Sequence, residues 1–126
     1  YNLFENLTLE NFSILPGSES KLLKGLELGC TGIITATCNV TAQLARRVYD
    51  DFFSGKEQIY NQKLCNVRNE FEKFNLISAL HSFKSLENEI YKNLLPPLDV
   101  LSKVDENTLM QNLKKLDFQI HSRLAA

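Results

Sequence analysis

Apolar and polar positions follow two different periods along this chain. Around residues 13–40, SILPGSESKLLKGLELGCTGIITATCNV, two short apolar runs at 12–15 and 32–37 flank one compact helical pattern. The second run, Gly-Ile-Ile-Thr-Ala-Thr, shows no regular alternation. It is therefore predicted to be a strand covered on both faces, as in a parallel sheet. Residues 18–28 place Leu22, Leu23, Leu26 and Leu28 on one helical stripe. Together they predict a strand–helix–strand unit. Pro16 removes a ladder donor and Gly17 accepts turn geometry, so the first strand should end there. Ser18 is the predicted N-cap, Glu19 suits the positive end of the helix dipole, and Gly29 suits the position just past the helix end.

From Thr41 onward the period is helical throughout. Thr41 is the expected cap of a helix over 42–53, with Leu44, Ala45, Val48 and Phe52 inward and Ser54-Gly55 as its stop. A long amphipathic helix is predicted over 56–74, and another over 76–93. Pro96-Pro97 must be an extended turn. Asp105 or Asn107 should open a last helix carrying Leu109, Met110, Leu113, Leu116 and Ile120. At the other end, Leu3, Phe4 and Leu7 predict a helical lead-in over 2–9 that Asn11 breaks. The chain starts at Tyr1 inside that pattern with no capping signal, so we expect it to be a piece of a longer chain.

Composition adds exclusions. The 126 residues are 44% hydrophobic and 23% charged, with a net charge of −1, so one modest domain can bury its own core. Interspersed charges give no electrostatic reason to expect a nucleic acid or membrane partner. No apolar run approaches the ~20 residues of a bilayer span, and no signal-peptide pattern opens the chain, which predicts a cytoplasmic protein. Cys30, Cys38 and Cys65 lack CxxC spacing and are read as reduced thiols. His81 and His121 form no HExxH pattern, so no metal is expected, and no cofactor either. The turn PGSES has one glycine where a nucleotide loop would have GxGxxG. Two βα units fit a doubly wound sheet or part of an eight-stranded barrel.

The residues Leu15-Pro16-Gly17-Ser18-Glu19, followed by Leu28-Gly29-Cys30-Thr31-Gly32-Ile33-Ile34-Thr35-Ala36-Thr37-Cys38-Asn39-Val40, resemble the seventh and eighth strands of the dihydrodipicolinate synthase/N-acetylneuraminate lyase family. The later helices and the Leu-Pro-Pro-Leu turn follow in the same order. The resemblance implies an α/β fold: the last two βα units of a (β/α)8 TIM barrel over residues 1–54, then a C-terminal helical domain over 55–126, mostly α by content. It implies a class I aldolase-type lyase or synthase that forms a Schiff base with pyruvate or another 2-oxo acid, and a homo-oligomer. Backbone groups of Gly17 and Ile34 would shape the keto-acid pocket. Ser18 and Glu19 match positions that contact the distal substrate in lyase-like members, and Asn39 matches a residue closing strand eight. The Schiff-base lysine, the tyrosine and the carboxylate-binding loop would lie before Tyr1, so no catalytic residue is expected within 1–126. Lys21 and Lys24, on an outer helix, read as solvated charges. Edge strands without neighbours predict self-association. Two other readings stand beside this one: a self-standing helical interaction module, and a different barrel enzyme.

Overall fold

The computed structural model describes residues 10–120, so the lead-in expected at 2–9 lies outside the described residues. They divide into two compact units at the Cys65/Asn66 junction. A 3-10 turn, Glu19–Lys21, leads into α1 (Leu22–Glu27), followed by α2 (Cys38–Phe53), α3 (Asn61–Glu72), α4 (Leu76–Lys84), a second 3-10 turn (Glu89–Lys92) and α5 (Lys103–Lys115). No described helix is long and apolar enough to cross a membrane.

The first unit departs from expectation at its two apolar runs. Neither 12–15 nor 32–37 forms a strand among the described residues. The two segments still lie side by side. Ile34 N–H donates to the Pro16 carbonyl at 3.2 Å. A Cβ built on Gly32 would stand 3.5 Å from Leu15 Cδ2, and one on Gly17 would stand 4.0 Å from the Ile34 carbonyl oxygen. These contacts set the two segments against each other. A parallel ladder needs evenly repeated bonds, and one such bond between neighbours makes none.

Helix α2 begins at Cys38, four residues before the predicted start, so Thr41 lies inside the helix instead of capping it. The apolar stripe is as expected. Leu22, Leu26, Ala45, Val48 and Leu64 form the buried cluster, with Ile33, Leu44, Tyr49, Phe52 and Tyr60 packed against it. Each buried leucine or valine of the cluster contributes roughly 1.5–3 kcal/mol by leaving water.

The helix ends follow local chemistry. Past α1, Gly29 has φ +91°, its N–H donates to Leu26 O at 3.0 Å, and Cys30 N–H donates to Gly25 O at 2.8 Å. That is the paired closure that needs a left-handed residue after the helix. Gly55 (φ +64°) closes α2 the same way, with Lys56 N–H on Asp51 O at 2.8 Å. Asp117 (φ +52°) does so after α5, with Phe118 N–H on Leu113 O at 3.0 Å.

The helices predicted over 56–74 and 76–93 are shorter than their patterns. Residues 56–60 stay non-helical after the Gly55 closure, and α4 stops at Lys84, where turns replace it. Asn75, the residue left between the two predicted helices, caps α4 by accepting from Ser78 N–H at 3.1 Å. Ser102, not Asp105 or Asn107, opens α5: its hydroxyl accepts from Asp105 N–H at 3.1 Å. Val67, Phe71, Ala79, Leu80, Phe83, Leu109 and Leu113 are buried in the second unit. Phe83 meets Phe71 edge-on at 5.5 Å and stacks on Phe118 at 5.7 Å. Ser82 Oγ accepts from Leu101 N–H at 2.8 Å, tying the loop before α5 to α4.

Candidate functional site

The four residues singled out from the sequence fall together in the first unit. The Pro16-Gly17 turn places an exposed glycine beside the Ile34 backbone. Ile34 itself is 70% exposed, a large apolar side chain turned outward. Ser18 is half-buried and its Oγ lies 2.9 Å from Ser20 Oγ. Its backbone is extended, at the N-cap position of the 3-10 turn, but its side chain makes no capping bond.

Glu19 behaves differently from its neighbours. It is 0% exposed. Its Oε1 accepts from Thr35 Oγ1 at 2.7 Å and from Thr41 Oγ1 at 2.9 Å. The Thr41 hydroxyl also lies 3.0 Å from the Thr37 carbonyl, sharing one proton between two acceptors. Thr35 Oγ1 in turn accepts from Cys38 N–H at 3.1 Å, satisfying a donor at the start of α2. Burial alone would push the Glu19 carboxyl up. Hydrogen bonds from Thr37, Thr35, its own backbone and Thr41 outweigh that and hold it below the usual glutamate value. Its charge reaches α3: burial, and then the Glu19 carboxylate, push the Cys65 thiol up.

Sequence reasoning placed Glu19 by the helix dipole and missed its partners. The signal was three threonines at 35, 37 and 41, across the junction from extended chain to helix. Asn39 keeps to its own turn, its Nδ2 donating to Ala36 O at 2.8 Å. Lys21 and Lys24 are exposed, and Lys24 Nζ sits 3.3 Å from Glu27 Oε2 on the same helix. No group of three or more potential metal ligands occurs among the described residues.

With this geometry in view, three comparisons define the class. The profile of the dihydrodipicolinate synthetase family matches residues 2–116, and the chain belongs to that family. It is 31% identical over 117 residues to a 4-hydroxy-tetrahydrodipicolinate synthase of Blochmanniella pennsylvanica, covering 89% of this chain and 39% of that protein. Among solved structures, it shares the fold of dihydrodipicolinate synthase from Aquifex aeolicus (TM-score 0.79, 21% identity, 95% of this chain and 42% of that one). It likewise shares the fold of N-acetylneuraminate lyase from Proteus mirabilis (TM-score 0.78, 19% identity, 94% and 42%). The chain thus spans about two-fifths of the length of these relatives.

Proposed function

We propose that this chain is the C-terminal part of a Schiff-base lyase or synthase acting on pyruvate or a related 2-oxo acid. Residues 1–54 supply the last two βα units of a (β/α)8 barrel and 55–126 a helical domain. The observation that carries this reading is the apposition of Gly17 and Ile34. The resemblance assigns both to the wall of a keto-acid pocket, and the Ile34 N–H bond to Pro16 O, at 3.2 Å, holds them side by side. An exposed glycine leaves room for a ligand to approach the backbone, and the Ile34 side chain offers an apolar neighbour. Ser18 stands next to them for the distal part of the substrate.

The covalent step needs an amine that attacks the keto carbon and expels water. Lys21 and Lys24 are poor candidates. Both are exposed on the helix side of the turn, and Lys24 is paired with Glu27. The chain of residues 1–126, treated with pyruvate and borohydride, is therefore expected to gain no mass by intact-protein mass spectrometry. A reduced pyruvyl adduct would contradict the proposal. The family match over 2–116 favours this reading over a self-standing helical module.

Phe12, Leu15 and Ile34 are exposed along the two unladdered segments. Exposed apolar segments with unpaired backbone can pair with further chain as sheet edges do, so the isolated 126-residue chain should self-associate. Sedimentation velocity is expected to show species larger than a monomer, with Ile34→Lys shifting them towards monomer. A wild-type monomer at high concentration would count against it.

A further inference from the structure

We propose that Glu19 is a positioning residue of this pocket, holding the Ile34 backbone against the Pro16-Gly17 turn through the Thr35 hydroxyl, with its own carboxylate touching no substrate. The inference rests on the reading of Gly17 and Ile34 as pocket residues, and it changes the part played by Glu19 within that reading.

The geometry is a closed circuit. Ile34 N–H donates to Pro16 O at 3.2 Å, and Thr35, the next residue, donates to Glu19 Oε1 at 2.7 Å. From Glu19 the chain runs back through Ser18 and Gly17 to Pro16. Two hydrogen bonds and two short covalent stretches thus enclose the turn, leaving Gly17 and Ile34 little freedom to part. Thr41 donates to the same Oε1 at 2.9 Å, so the first turns of α2 are hooked onto the same oxygen. The carboxylate is 0% exposed and taken up by threonines, which leaves no face towards a ligand. The distal part of a substrate then falls to Ser18 and its neighbours.

The ionised form suits this role. A carboxylate accepts only, and can take several hydroxyl donors at once. A protonated acid carries a hydrogen of its own on one oxygen and must find it an acceptor. Protonation therefore sets the added proton against the threonine donors and loosens the circuit. The titratable group that feels the charge from the neighbouring helix is Cys65.

The test is nuclear magnetic resonance on the whole 126-residue chain without ligand. The Glu19 side-chain carboxyl carbon and the Ile34 amide are followed together as pH falls. We expect the Ile34 amide to shift with the same midpoint as Glu19, below the ordinary glutamate range. In Thr35→Val, Glu19 still titrates but the Ile34 response falls by more than half. In Glu19→Gln the response disappears. Uniform loss of packing would move amides throughout the first unit, whereas this coupling is confined to the circuit. An Ile34 amide that ignores the Glu19 midpoint, or that responds equally in Thr35→Val, overturns the proposal. No outcome depends on pyruvate, so failure here is distinct from failure of the proposed reaction.

Discussion

A carboxylate without solvent contact is stable only if hydrogen bonds replace the water it has lost. Glu19 meets that requirement with threonine hydroxyls and its own backbone, and its carboxyl is held below the usual glutamate value. The sign of the pH effect follows. A lowered folded-state value contributes stability that is fully present above the unfolded value, near 4.5, and is lost as pH falls through the folded one. Wild type should therefore exceed Glu19→Gln in stability at neutral pH, and the gap should narrow in acid. Urea melts followed by circular dichroism at both pH values check this, and a gap independent of pH would contradict it. Glu19→Ala removes the shared acceptor from beneath three hydroxyls and should cost about 1–3 kcal/mol. Little of this was legible in the sequence. Thr35, Thr37 and Thr41 lie up to 22 residues from Glu19, and no local period links them. The apposition of the Pro16-Gly17 turn and the Ile34 backbone, by contrast, joins two stretches that the sequence singled out together.

Helix ends were readable where one residue decides them. Gly29 and Gly55 stop their helices because only a left-handed residue completes the closure, and the sequence offers glycine at both places. Gly29→Ala puts a Cβ into that conformation and should destabilise the first unit by roughly 1–2 kcal/mol. Ser102→Ala removes the acceptor for Asp105 N–H and should cost about 1 kcal/mol in the second unit. Thermal melts of the two variants check both values, and a neutral Gly29→Ala would mean that the closure contributes nothing. Helix starts and strands were less readable. The run at 32–37 has strand composition, but a strand is a property of a pair, and a single bond to Pro16 makes no ladder. The start of α2 depended on Thr35 accepting from Cys38 N–H, a side-chain contact hidden from periodicity. Apolar spacing also ran on past Gly55 and Lys84, where turn chemistry ended or delayed the helix.

At the scale of the whole molecule, family membership accounts for the most. The match over residues 2–116 covers both the two apposed apolar segments and the helices that follow them. Phe12, Leu15 and Ile34 are exposed along those segments. The chain spans 39% of the length of its Blochmanniella relative. The most direct test takes the protein as its own cells make it, adds pyruvate and borohydride, and maps the peptides. The account predicts a reduced pyruvyl adduct on a lysine outside residues 1–126, and none on Lys21 or Lys24. An adduct on either of those lysines, or no adduct anywhere, would contradict it.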